Sequence, residues 1–269
     1  IGKKVMEAAS RNLTPVTLEL GGKSPAIVID GANLDITAKR LVWGKSLNAG
    51  QTCIAPDHLL VKNDLYLSLV SNLKKSINDF YGKDPLDSEN LGSIINKSQF
   101  DRLNNLIKQS KNNNQIIFGG YVNEVERRIS PTLIKINDRE DPLMKEELFG
   151  PLLPILCIDS LEEVITDLKS LPKPLALYLF GGNDKDQEMI LTMTSSGGVC
   201  FNDVVLQAGI PELPFGGVGS SGMGKYHGKA SFDNFTHYKS ILKRPFWLDL
   251  NFRYPPYKLD LSLLSKLLG

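Results

Sequence analysis

The chain has 269 residues, with 31 Lys and Arg against 30 Asp and Glu, three His, three Cys and 42% hydrophobic residues. That apolar content suits a globular fold and excludes a disordered tail or a fibre. A formal net charge of +1 supplies no one-signed field to gather nucleic acid or anionic lipid, so partners must be argued from local sites.

In chain order, Lys3 to Asn12 is rich in helix formers, with Val5, Ala8 and Ala9 on one side, and Thr14-Pro15 stops it. Val16 to Leu20 alternates as a strand does, Gly21-Gly22 breaks it, and Ala26 to Ile29 is a continuous apolar run expected of a strand covered on both faces. Asp35 to Leu47 carries Ile36, Leu41, Val42 and Leu47 at helical spacing. His58 to Val61 reads as a strand, Asp64 to Phe80 and Ser98 to Ser110 as helices. Further strands are expected at Gln115 to Phe118, Thr132 to Ile136, Pro154 to Ile158, Leu175 to Phe180 and Gly198 to Phe201, with helices at Leu161 to Leu168 and Asp186 to Thr194 between the later ones. This alternation predicts an α/β fold with a mostly parallel sheet covered by helices.

Pro211 to Gly228 crowds glycines around Ser220-Ser221 and predicts loop; Ser231 to Ser240 predicts a strand region. Pro245 and Pro255-Pro256 interrupt the remainder, and Leu259 to Leu268 ends the chain as an apolar-rich stretch. As a helix that stretch would reach only ~18 Å, short of a ~30 Å hydrocarbon core. No apolar run approaches the ~18 residues of a spanning helix, and Ile1 to Lys4 lack the order of a secretory signal, so the chain as given is expected to be soluble. An odd number of cysteines far apart predicts no disulfide framework and suits a reducing compartment. The start at Ile1 rather than Met, with a strand following soon after, suggests a fragment.

Cys53 closes the run Asn48-Ala49-Gly50-Gln51-Thr52 in a turn where backbone N–H groups are available. A free thiol with a pKa near ~8.5 is only about 3% thiolate at pH 7, so a nucleophilic role needs help from its surroundings, and the alternative is a small buried hydrophobe. Cys157 and Cys200 lie inside apolar strand patterns and read as packing residues. Glu19 interrupts a strand beside two glycines, either as a solvated edge residue or as a partly desolvated general base. Glu146-Glu147-Leu148-Phe149-Gly150-Pro151 joins carboxylates to an aromatic ring before a turn, a set that suits ribose hydroxyls and a flat heterocycle. Gly217-Val218-Gly219-Ser220-Ser221-Gly222 formally matches the dinucleotide fingerprint G-x-G-x-x-G. It follows prolines and opens no helix, so a compliant loop or pocket-lining backbone is expected instead. The three histidines show no ligand spacing, and no metal site is expected.

Together, Leu18-Glu19-Leu20-Gly21-Gly22-Lys23-Ser24-Pro25, Gly50-Gln51-Thr52-Cys53 and Glu147-Leu148-Phe149-Gly150-Pro151 resemble the aldehyde dehydrogenase superfamily. Pro214 to Gly217 and Gly222 to Lys229, with Ser231-Phe232, resemble its class 3 branch, which includes fatty aldehyde dehydrogenases. The resemblance covers nearly the whole chain and implies that most of an N-terminal cofactor domain is absent. It implies Cys53 as nucleophile, Glu19 as the base that activates water, and Gly2, Glu147 and Phe149 as cofactor-binding residues, with NAD or NADP as cofactor. It further implies residues 1–20 as a remnant of the cofactor domain, 21–230 as the catalytic domain, and 231–269 as a bridging strand and tail. A cytoplasmic homodimer acting on a medium- or long-chain aliphatic or aromatic aldehyde follows from the same likeness. The tail implies membrane association at the cytosolic face, or a helix packed on its own domain or a partner subunit. A CoA-acylating enzyme is disfavoured by the carboxylate at Glu19, whereas a truncated, non-catalytic scaffold stays open.

Overall fold

The computed structural model describes residues 1–249, 251–257, 262 and 265. Helix α1 (Gly2–Ser10) leads to the short strand β1 (Leu18–Glu19). Strand β2 (Pro25–Val28), helix α2 (Leu34–Ser46), strand β3 (His58–Lys62) and helices α3 (Tyr66–Tyr81) and α4 (Lys97–Asn112) follow. Strand β4 (Ile116–Phe118) precedes a small hairpin, β5 (Val122–Asn123) and β6 (Arg128–Ile129), which the residue pattern does not announce. Next come β7 (Thr132–Ile136), β8 (Leu152–Ile158), α5 (Leu161–Ser170), β9 (Ala176–Phe180), α6 (Asp184–Met193), β10 (Gly198–Phe201), β11 (Gly222–Met223) and α7 (Gly228–Asn234).

Seven strands form one sheet in the order β10-β9-β2-β3-β8-β7-β4, parallel throughout except for the antiparallel β4–β7 edge pair. Successive side chains of a strand point to opposite faces. Ile27 and Leu60 therefore pack with Phe100, Leu103, Val164 and Ile190 from α4, α5 and α6, while Ala26, Val28 and Leu59 pack with Leu41, Leu69 and Leu73 from α2 and α3. Both faces are covered, which is why the central strands read as continuous apolar runs. Side chains cap the helices where the chain turns: Asn33 accepts from the Ile36 N–H at 3.1 Å, and Ser160 from the Glu163 N–H at 3.2 Å.

The first strand does not join the main sheet. β1 pairs antiparallel with β11, placing Glu19 opposite Gly222, so the glycine-rich segment serves as the partner of the Glu19 strand. The expected strand at Ser231 to Ser240 is corrected: residues 228–234 are helical, and no strand lies among the described residues beyond them. The Ser231 hydroxyl accepts from the His227 N–H at 2.7 Å, and Lys229 pairs with Asp233 one turn on, local bonds that favour a helical turn over extended chain.

Residues Ile1–Phe235 form one compact unit and Thr236–Gly269 a second. In the second, a single turn of 3-10 helix spans Asn251–Arg253, and Ile241, Leu242, Phe246 and Trp247 are exposed. The apolar stretch at Leu259 to Leu268 lies outside the described residues apart from Ser262 and Ser265. Among the described residues no helix is long and apolar enough to cross a membrane.

Candidate active site

Cys53, Glu19 and Glu147 come from three segments that enter the sheet at the amino ends of β3, β2 and β8, which are immediate neighbours. Ligands of open parallel sheets usually gather at the carboxyl ends of the strands. Here the chemistry-bearing loops meet at the opposite end.

The loop before Cys53 takes an uncommon path. Asn48, Ala49 and Gly50 adopt successive left-handed conformations, with φ of 52°, 55° and 75°. Each non-glycine residue there costs ~1 kcal/mol, so the path must be held from outside. Gln51 holds it: its Nε2 donates to the carbonyls of Asn48 at 3.1 Å and Ser93 at 3.0 Å, and its Oε1 accepts from the Ile95 N–H at 2.8 Å. At Gly50 a Cβ would meet the Gly150 carbonyl oxygen at 2.3 Å, so the loop is seated against the segment that carries Glu147. On the far side of Cys53, the buried Tyr178 hydroxyl donates to the Ile54 carbonyl at 2.5 Å and accepts from the Val205 N–H at 3.3 Å.

The Cys53 thiol is partly buried and faces the Glu19 carboxylate. Burial pushes its pKa up, the Glu19 carboxylate adds to this as hydrogen-bond acceptor and as negative charge, and Glu147 contributes further, so that the thiol reaches about 12. The Cys53 backbone N–H acts in the opposite direction. At neutral pH the sulfur therefore carries its proton, with a carboxylate beside it to receive one. Glu19 itself is exposed, and its Oε2 accepts from the Tyr226 hydroxyl at 3.3 Å.

Glu147 folds back over the backbone of Gly21-Gly22. A Cβ on Gly21 would lie 2.0 Å from Glu147 Oε2, and the Gly22 backbone contributes a hydrogen bond to the carboxylate. Burial, then the Asp57 charge, raise the Glu147 pKa to about 7 against the opposing pull of Gly22, Lys45 and Lys23. A cavity of about 660 Å³ opens beside it, lined also by Lys23, His58, Arg139 and Lys173. Phe149, on the same segment, is 39% exposed at a left-handed φ of 48°. A half-buried acceptor on a glycine floor beside open volume, with an exposed ring two residues on, fits the sugar and heterocycle of a nucleotide.

Gly2 takes a different place. It is buried at the start of α1, where a Cβ would meet the Leu20 methyls at 3.2 Å and Leu18 Cδ1 at 3.5 Å. Those leucines alternate with Glu19 along β1, so Gly2 lies behind that strand rather than beside the carboxylate. Cys157 and Cys200 are half-buried against the core of the α2 and α3 face. Among the described residues no group of His, Cys, Asp and Glu could hold a metal ion.

Residue patterns missed Tyr226, Lys23, Asp57 and Lys45. Lys45 lies one turn beyond Leu41 on the buried stripe of α2 and is 4% exposed, a cation in an apolar register. Burial lowers its pKa to about 8 against the pull of Asp57. Its spacing was the available signal; Tyr226 lies inside the Gly222 to Lys229 stretch, where no periodicity sets it apart from its neighbours.

Comparison with known proteins identifies a family. The model of the aldehyde dehydrogenase family matches residues 1–241. The mouse dimeric NADP-preferring aldehyde dehydrogenase is 48% identical over 258 residues, covering 95% of this chain and 56% of that protein. The 4,4'-diaponeurosporen-aldehyde dehydrogenase of Staphylococcus aureus is 45% identical over 258 residues, covering 96% of this chain and 56% of that protein. A solved structure of Staphylococcus aureus AldH in a substrate-bound state superposes with a TM-score of 0.95 at 43% identity, covering 100% of this chain and 58% of that one. The chain thus spans about half the length of the curated relatives it matches.

Proposed function

Because this chain belongs to the aldehyde dehydrogenase family, we propose that it supplies the nucleophile, the base and part of the cofactor site of an enzyme that oxidises an aldehyde to a carboxylic acid with NAD or NADP. The observation that carries this reading is the convergence of the Glu19, Cys53 and Glu147 segments at the amino ends of β2, β3 and β8, with the Glu19 carboxylate acting on the Cys53 thiol.

Cys53 Sγ attacks the aldehyde carbonyl carbon as its proton passes to Glu19, and the developing oxyanion is met by the Cys53 backbone N–H. Held by Glu147 and Phe149, NAD or NADP would supply the two-electron acceptor for oxidation of that carbon, and Cys53 would keep the acyl group as a thioester. Glu19 is exposed, so it returns its proton to solvent and then takes one from the water that attacks the thioester. The carboxylic acid leaves and the thiol is restored. Tyr226 orients Glu19 through its hydroxyl, and Glu147 accepts from ribose hydroxyls while Phe149 supports the ring.

Trp43, on the helix that leads to Cys53, and Leu47, the residue that ends it, are each 39% exposed. They support an aliphatic or aromatic aldehyde as substrate. A homodimer is supported by the mouse relative, which is named a dimeric enzyme, and a cytoplasmic location by three free cysteines. In the full-length protein carrying this chain, Cys53→Ala abolishes formation of reduced cofactor; turnover persisting in that variant refutes the assignment.

A further inference from the structure

Three segments carry the site, and one partly buried ion pair touches all of them. Lys23 follows Glu19 by four residues, and Asp57 follows Cys53 by four. The Lys23 ammonium pairs with Asp57 Oδ2 and also donates to the carbonyls of Leu143 at 2.8 Å and Glu146 at 2.9 Å. Asp57 Oδ1 accepts from the Leu148 N–H at 2.7 Å, and the Asp57 N–H donates to the Ser24 carbonyl at 2.8 Å. The side chains of Lys23 and Asp57 are 19% and 3% exposed. Residues 143, 146 and 148 are thus bonded on either side of Glu147, and the bonds come from the segments of Glu19 and Cys53.

We propose that the Lys23–Asp57 pair is a positioning device that fixes Glu147 and Phe149 relative to Cys53, and so sets how well the enzyme engages its cofactor. This rests on the functional reading above. Neither side chain has to touch substrate or cofactor; each acts through the backbone of the Glu147 segment. Burial alone would raise the Asp57 carboxyl. The neighbouring His58 ring and the Lys23 and Lys45 charges outweigh it and hold the carboxyl below its ordinary range, so it stays ionised as an acceptor for Leu148. A buried charge left without its partner is strongly destabilising, so removing one member alone loosens the segment that the other holds. Asparagine at 57 keeps an acceptor for Leu148 but loses the attraction to Lys23, and methionine at 23 keeps the stem but loses all three bonds to the ammonium.

The test uses the full-length enzyme with Asp57→Asn, Lys23→Met and the two combined. It compares kcat/KM for NADP+ with the cofactor-free hydrolysis of p-nitrophenyl acetate, which needs Cys53 but not Glu147. The expected result is a KM for NADP+ raised at least roughly tenfold in each single variant, a smaller fall in ester hydrolysis, and a double variant no worse than the singles, the sign that the two act as one unit. Thermal unfolding accompanies each variant, and Asp57→Glu, which restores the charge, recovers part of the loss. Wild-type kinetics in the single variants, or equal losses of ester hydrolysis and cofactor use, overturn the positioning role while leaving the dehydrogenase reading intact. A wild-type enzyme that neither hydrolyses the ester nor oxidises aldehydes would instead refute that reading and, with it, this proposal.

Discussion

The carboxylate of Glu147 occupies the space where a side chain on Gly21 would begin, with Oε2 only 2.0 Å from an ideal Cβ. Glycine at 21 is therefore a condition for Glu147 to reach its place. Gly21→Ala should displace the carboxylate and weaken cofactor binding by the value of a hydrogen bond to a charged group, about 1.5–3 kcal/mol, which is tenfold or more in Kd. Titration calorimetry with NADP+ on the full-length protein measures it; unchanged affinity would show that Glu147 does not hold the cofactor.

Glu147 titrates near 7, so its ionisation spans the working range. The ionised form is the stronger acceptor for ribose hydroxyls, and KM for the cofactor should fall as pH rises through about 7. Glu147→Gln should flatten that dependence at the higher KM. A fall of the same size in the variant would place the titrating group elsewhere.

The same shift has a stability consequence of opposite sign. The folded pKa of about 7 lies above the ordinary carboxylate value of 4.5, so the stability linked to this proton is present below the unfolded pKa and lost as pH rises through the folded one. Glu147→Gln should therefore gain about 1 kcal/mol on the parent at pH 8, after discounting for partial exposure, and little at pH 4. Urea unfolding at the two pH values decides between this and a uniform effect.

Glu19 acts on Cys53 in two opposed ways. Its charge and acceptor oxygens raise the thiol, yet the water step needs it as base. Glu19→Gln should speed alkylation of Cys53 by iodoacetamide at pH 8, roughly tenfold for each pKa unit by which the thiol drops. The same variant should slow steady turnover ~10²-fold or more. Peptide mapping separates Cys53 from Cys157 and Cys200, and slower alkylation of Cys53 would contradict the contact.

Much of this architecture was legible in the residues, because strands buried on both faces leave unbroken apolar runs and their helices keep helical spacing. Thr132–Ile136 and Gly198–Phe201 fall where the pattern puts them. Cys53, Glu19, Glu147 and Phe149 were recognisable through three motifs, since close backbone packing forces glycines beside them. What the pattern could not supply was the order that makes β2, β3 and β8 neighbours, which is set by long-range pairing. Nothing in the residue pattern pairs Asp57 with Lys23; that order joins their segments. The strand expected after Ser231 failed because local side-chain bonds to the backbone outweighed its apolar pattern.

Tyr178 ties the loop after Cys53 to the segment at Val205 through one buried hydroxyl. Tyr178→Phe leaves the Ile54 carbonyl and the Val205 N–H without that partner and should cost about 1–3 kcal/mol of unfolding free energy. Chemical denaturation of the variant reads this directly, and a loss below measurement error would mean that both groups find other partners.

The central claim is that a single sulfur carries the acyl group until a base-activated water removes it. Full-length Glu19→Gln enzyme, mixed with NADP+ and hexanal, quenched in acid and digested, should show the peptide containing Cys53 heavier by one hexanoyl group, because the water step loses its base whereas the thiol, released from the Glu19 charge, can give its proton to solvent. An unmodified Cys53 peptide in that digest, alongside a full first turnover of reduced cofactor, would contradict the account.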